Sequence, residues 1–327
     1  MIPPRLKVGD EIRVICASKN MKKMKPVVVK MAKKRFYDLG FDLTFGAHAF
    51  ENDLFNSSKP ESRAIDINEA FKDKKVKMIL AATGGFNVNQ VLNLLDYNLI
   101  KRNPKIICGY SDITALSNAI FAKTGLVNYS GPNFSTFAEP DNMFKYTYDY
   151  FKKCMMESGH FTVNASKEWT DDKWYKIKEV KFHKNKGYYA INEGSATGRL
   201  IGGNICTLNL LQGTSYMPSL KGSILFLEED DETTDVTDQM FERCLQSLLQ
   251  QKGSDKIRGI VIGRFQRNAF IKRKNLEYVI SSKKELRGIP VIVGADFGHT
   301  YPLITFPIGG SVRIESGKKS VIEILTH

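Results

Sequence analysis

Apolar residues in the first half of the chain follow two alternating patterns. Residues 11–18 (EIRVICAS), 42–48 (DLTFGAH) and 76–85 (VKMILAATGG) are short apolar runs of strand length. Residues 25–40 (KPVVVKMAKKRFYDLG) space their apolar positions as an amphipathic helix and close on glycine. SSKPESRAIDINEAFKDKKV starts with Ser and Pro and continues as a helix, and NVNQVLNLLDYNLI predicts another. In KIICGYSDITALSNAIFAKTG, residues 105–125, a strand meets a helix across Gly-Tyr-Ser-Asp. Near-continuous apolar strands alternating with helices predict a parallel, flavodoxin-like sheet covered on both faces, over residues 1–165.

The pattern breaks near Lys167. Residues 166–190 are polar, charged and aromatic, hold both tryptophans, Trp169 and Trp174, and read as an excursion between domains. Beyond it, ATGRLIGGN predicts a strand and turn, ICTLNLLQGT a short helix, and GSILFLEEDD a strand ending in acids. VTDQMFERCLQSLLQQKG is an amphipathic helix, IRGIVIGRF and IPVIVGADFGH are buried strands, and GGSVRIESGKKSVIEILTH predicts a hairpin. Residues 191–327 therefore form a smaller, mixed α/β domain.

Composition narrows the class. The chain has 327 residues, 42% hydrophobic and 25% charged, as expected of a soluble two-domain protein. No apolar run reaches the roughly 18 residues of a membrane span. The start has no signal-peptide pattern. Five scattered cysteines without a Cys-x-x-Cys argue against a disulfide framework or zinc knuckle and for a reducing cytoplasm. The net charge of +13 includes eleven basic against three acidic residues over 252–287. These are spread among apolar residues with no nucleic-acid-binding motif, so a solvated lysine-rich surface is expected, with steering of anionic substrates as the second reading.

Two loops follow carboxyl ends of predicted strands, where ligands sit in open α/β sheets: TGGFN (83–87) and GYSD (109–112). If the strands are neighbours, Ser111 lies at a helix start beside a glycine pair. A nucleophile with backbone donors suits acyl transfer, with the amides of Gly85 and Asp112 as the oxyanion hole. Gly84, Phe86 and Asn87 then face substrate. The stretch resembles a Gly-x-Ser-x-Gly elbow but has Ile113 in place of the second glycine. The competing reading is that Ser111 or Asp112 merely caps the helix. Of five histidines, His48, His160, His183, His299 and His327, only His299 stands directly after a buried strand in a Gly-rich loop, as a base could. Glu228 is the first polar residue after SILFL and the best placed of five successive acids to be a buried, orienting carboxylate.

Taken in order, NPKIICGYSDITAL, YSGPNFSTF, GRLIGGNICTLNLLQGT, ILFLEED and DFGHTYPLITFPIG, with the preceding SRAIDINEAFKDKKVKMILAATGGFNVNQVLNLLDYNLI, resemble the serine peptidases comprising LD-carboxypeptidases and the microcin C immunity protein. The resemblance covers most of the chain. It implies a Ser–Glu–His triad falling on Ser111, Glu228 and His299, in a cleft between two domains, with no metal or cofactor, and a homodimer. The long Trp-bearing excursion looks more like the microcin-immunity branch, whose substrate is a peptidyl or aminoacyl nucleotide analogue. Trp174 or Trp169 would then stack on a base, and Asn204 would be a polar contact. The alternative is removal of a terminal D-amino acid from a peptidoglycan stem peptide. The chain departs from the family at CASKN, where a Pro-Ser often follows the first strand. A non-catalytic nucleotide- or RNA-binding protein is the rival of another class. It lacks the Gly-x-Gly-x-x-Gly it would need after the first strand.

Overall fold

The computed structural model describes residues 1–269 and 271–327. Five strands and five helices come first. The strands are β1 (Glu11–Ile15), β2 (Asp42–Phe45), β3 (Val76–Ala81), β4 (Ile106–Gly109) and β5 (Asn128–Ser130). The helices are α1 (Pro26–Asp38), α2 (Pro60–Lys72), α3 (Tyr97–Arg102), α4 (Ile113–Thr124) and α5 (Asp141–Met155). The strands pair in parallel in the order β5-β4-β3-β1-β2. This is the 2-1-3-4-5 order of flavodoxin-like folds, whose ligand crevice lies where the order reverses, between β1 and β3. Proline starts both α1 and α2, where its missing N–H costs nothing. α1 buries Val28, Ala32 and Phe36, one residue per turn, against this sheet. The stretch NVNQVLNLLDYNLI is not one helix. It forms a 3-10 segment, Val88–Leu94, and then the short α3, capped by Asp96.

After α5 come β6 (Phe161–Thr162), the small pair β7 (Glu168–Trp169) and β8 (His183–Lys184), and β9 (Tyr189–Asn192). The excursion is thus anchored at both ends. Then follow β10 (Gly194–Asn204), α6 (Ile205–Asn209), β11 (Ser223–Glu228), α7 (Thr237–Leu249), β12 (Gly259–Gly263), α8 (Arg273–Ser281), β13 (Val291–Ala295), β14 (Phe306–Ile308), β15 (Ser311–Ser316) and β16 (Val321–Thr326). The second sheet runs β6-β16-β15-β10-β11-β12-β13-β9, with β10 to β13 parallel and the rest antiparallel. It has eight strands against six in the first sheet, so the C-terminal sheet is the larger.

Two features join the halves. β14 leaves the second sheet and pairs antiparallel with β5 of the first. α4 is buried nearly all round, because it lies between the first sheet and β10. One apolar core runs across this seam, from Ile79, Ile113 and Leu116 to Ile201, Leu225 and Leu245. The seam is also hydrogen-bonded: Asn118 Nδ2 donates to Gly202 O at 2.8 Å, and Asn204 N to Thr114 Oγ1 at 3.0 Å. Gly203, at φ +126°, admits this contact, since a Cβ there would stand 2.4 Å from Thr114 Oγ1. The described residues contain no helix long and apolar enough to cross a membrane.

Candidate active site

Ser111 sits between β4 and α4 with φ +63°, one of two non-glycine residues among those described in the left-handed region. Such a conformation costs on the order of 1–3 kcal/mol and persists only where its surroundings impose it. Ser111 Oγ lies 3.1 Å from His299 Nε2, and His299 Nδ1 lies 2.8 Å from Glu228 Oε2. Capping does not explain the serine: Asp112 is the N-cap residue of α4, and it makes no side-chain capping bond.

Each partner comes from a different element. Glu228 ends β11 and is buried. His299 follows β13 in Asp-Phe-Gly-His. Gly298, at φ +105°, lets the backbone pass the acid, because a Cβ there would meet Glu228 Oε2 at 2.8 Å. The ring of Tyr110 stands edge-on to the imidazole at 5.4 Å. Burial opposes the imidazolium, but the charge and hydrogen bond of Glu228, with Asp230 and Glu229, outweigh it and raise His299 to about 9. Asp230 Oδ2 is 3.9 Å from His299 Nε2. Burial, with Glu228 beside it, pushes Glu229 up to about 8, although Asn204 Nδ2 donates to it at 2.8 Å.

The loop after β3 crosses in front of the serine. A Cβ on Gly84 would lie 2.9 Å from Ser111 Cβ, and one on Gly85 2.1 Å from Ser18 Oγ. Only glycines fit between the two serines. Gly84, Gly85, Ser111, His299 and Trp174 all line one cleft of about 530 Å³. Phe86, Asn87, Asp112, Glu228 and Asn204 do not. Phe86 is exposed beneath the Lys19 ammonium. Asn87 Oδ1 takes a bond from Arg63, and Asn204 caps α6 while donating to Glu229. Of the tryptophans, Trp174 reaches the cleft edge-on to Tyr175, whereas Trp169 packs on His183 and under Arg264. Five lysines, Lys19, Lys23, Lys25, Lys173 and Lys176, line the cleft as well, with Asp230, Asp231 and Glu232 among the acids on its wall. The other four histidines lie off the cleft wall: His48 bonds Asp66, and His327 is buried against Arg5. The described residues hold no cluster suited to a metal ion.

Sequence reasoning missed Ser18, Asp112's side chain and Arg63. Ser18 Oγ donates to Asp112 Oδ2 at 2.5 Å, and Val88 N donates to the same oxygen at 3.0 Å. Ser18 occupies the departure CASKN, and the SR pair was legible only as helix. A hydrophobic-to-polar switch after β1 was the one available signal.

Residues 12–131 match the LD-carboxypeptidase N-terminal domain and residues 197–314 its C-terminal domain. YocD of Bacillus subtilis is 48% identical over 317 residues, covering 97% of this chain and 96% of the relative. The microcin C7 self-immunity protein MccF of Escherichia coli is 33% identical over 97% of this chain and 93% of its own. A crystal structure of an MccF-like protein from Bacillus anthracis superposes with a TM-score of 0.99 at 52% identity, covering 100% of both chains. The chain belongs to the LD-carboxypeptidase family of serine hydrolases.

Proposed function

We propose that the protein cleaves an amide bond through an acyl-enzyme on Ser111, in a peptidyl or aminoacyl nucleotide analogue. The observation that carries this reading is the line Ser111 Oγ–His299–Glu228, at 3.1 and 2.8 Å. His299 Nε2 takes the Ser111 proton as Oγ attacks the carbonyl carbon, while Nδ1–H stays donated to Glu228. The backbone amides of Gly85 and Asp112 stabilise the oxyanion. The imidazolium then protonates the leaving nitrogen as the C–N bond breaks. Water, deprotonated by His299, attacks the ester and frees the serine.

The substrate class rests on the cleft and on relatives. MccF has been solved in complex with aspartyl sulfamoyl adenosine, in a structure 30% identical to this chain with a TM-score of 0.89. The cleft here offers Trp174 as a stacking platform and, among five lysines and five carboxylates on its wall, Lys173 and Lys176 beside that tryptophan for an anionic linker. A second reading, release of a terminal D-amino acid from a stem peptide, is favoured by the match to both LD-carboxypeptidase domains. Incubation with aspartyl sulfamoyl adenosine and with a tetrapeptide stem, with products read by mass spectrometry, separates the two. Ser111→Ala should abolish turnover of whichever is cleaved; turnover near wild type would sink the mechanism. Trp174→Ala should weaken binding of the nucleotide by about 1–3 kcal/mol and leave the tetrapeptide unaffected. The homodimer is part of the same proposal, and sedimentation at micromolar concentration tests it.

A further inference from the structure

The cleft stands on a buried cation that the mechanism above does not use. Arg63 on α2 is 1% exposed, and the acceptors of its bonds are all neutral. Nε donates to Ser58 O at 3.0 Å. Nη1 donates to Ala17 O at 2.9 Å, to Asn87 O at 3.0 Å and to Asn87 Oδ1 at 3.2 Å. Nη2 donates to Gln90 Oε1 at 2.6 Å. Burying a guanidinium with no carboxylate bonded to it is costly, and burial pushes its pKa down although the more distant charges of Asp53, Asp112 and Glu61 oppose the shift. A residue that only filled this space would be cheaper as an apolar side chain. What the guanidinium supplies is five N–H donors in a rigid plane, which no other side chain offers.

Those donors reach both segments that flank the glycine pair. Ala17 precedes Ser18 in the turn just after β1, and Asn87 and Gln90 follow Gly84–Gly85. Asn87 Oδ1 also lies 3.2 Å from Ser18 Oγ, and Ser18 Oγ donates to Asp112, the residue after the strained Ser111. Val88 N fixes the far end of the loop to the same carboxylate. The Gly84–Gly85 backbone is thus held between Ser18 and Ser111 with no space for a methyl group on either side.

We infer that Arg63 is a positioning residue: the network Arg63–Asn87–Ser18–Asp112 sets the position of the Gly84–Gly85 backbone relative to Ser111 Oγ. It therefore governs transition-state stabilisation rather than substrate affinity. The inference rests on the hydrolase reading of Ser111. A displacement of about 1 Å at such a site can cost about 100-fold in rate.

Three variants of the full chain test it: Arg63→Lys, Arg63→Met and Ser18→Ala. kcat should fall about 10- to 100-fold in each, with KM within about twofold, because ground-state contacts are spared. Affinity for a boronate analogue of the tetrahedral intermediate should fall in step with kcat. Ser18→Ala removes only a hydroxyl, so it carries the test where an Arg63 variant does not fold. A lower melting temperature with wild-type kcat per folded molecule, or a rise in KM alone, overturns the inference. Retained turnover by Ser111→Ala overturns instead the reading on which it rests.

Discussion

At the scale of single residues, the imidazole of His299 carries the sharpest consequence. Its pKa stands near 9, so at pH 7 the ring is mostly protonated and cannot accept the serine proton. The neutral form grows as pH rises. kcat/KM should therefore climb from pH 6 to about 9, where an unperturbed imidazole would level off near 7. Asp230 adds to the shift from 3.9 Å. Asp230→Asn should move the acid limb to lower pH and raise the fraction of full activity expressed at pH 7. A pH–rate profile of both proteins checks this; an unmoved limb would mean that Asp230 does not act on the base. Gly298 is a second case. Gly298→Ala adds a methyl into Glu228 at a positive φ, which should cost about 1–3 kcal/mol of stability and most of kcat. Chemical denaturation and single-turnover rates measure the two separately.

At the scale of elements, the sequence was readable where one local pattern sufficed. The β3 and β4 runs are apolar because they are covered on both faces, and the carboxyl-end loops of β1, β3 and β4 are where the cleft lies. Glu228 and His299 stood out as polar residues at or after the ends of buried strands, whereas Ser111 was separated from a simple helix cap only by the family resemblance. The rest depended on pairings that no local pattern encodes. β14 is three residues long and reads as part of the loop after His299, yet it crosses to the other sheet. The 3-10 segment Val88–Leu94 has helical periodicity, but the bond from Val88 N to Asp112 holds its start in another path. The excursion carries no strand or helix pattern in the sequence because its order comes from long-range polar bonds. Asp296, fully buried after β13, accepts from Ser166 N at 2.8 Å, from Asn185 Nδ2 at 3.1 Å and from Arg264 Nη2 at 2.9 Å. It ties both ends of the excursion to one strand end. Asp296→Ala leaves these donors unpaired and should destabilise the protein by about 3–5 kcal/mol. Residues 166–190 should then become the first segment to be cut by protease, as time-resolved proteolysis would show.

At the scale of the whole molecule, the two sheets divide the proposed triad: Ser111 follows β4 of the first, while Glu228 ends β11 and His299 follows β13 of the second. Such a division usually invites a hinge, but here three connections oppose one. α4, which begins just after Ser111, is embedded against β10. The core is continuous across the seam. The His299 loop leaves β13 in one sheet and enters β14 in the other, so it is held from both sides. A rigid seam means that the serine and histidine are in contact before substrate arrives, and that any closing motion belongs to the excursion. Trp174 and Tyr175 reach the cleft there, and Asp171 and Asp172 clamp it through Arg267 at 2.6 and 2.5 Å. The two predictions therefore point in opposite directions. Asn118→Ala breaks the seam bond to Gly202 and should lower stability by about 1–3 kcal/mol, with kcat falling because Ser111 and His299 no longer share one frame. Arg267→Ala frees the excursion at an exposed ion pair, worth about 1 kcal/mol, and should raise KM several-fold while kcat stays near wild type. Steady-state kinetics on both variants separate the two motions. If Arg267→Ala instead lost kcat with KM unchanged, the excursion would be part of the reacting frame, and the rigid seam would not be what assembles the site.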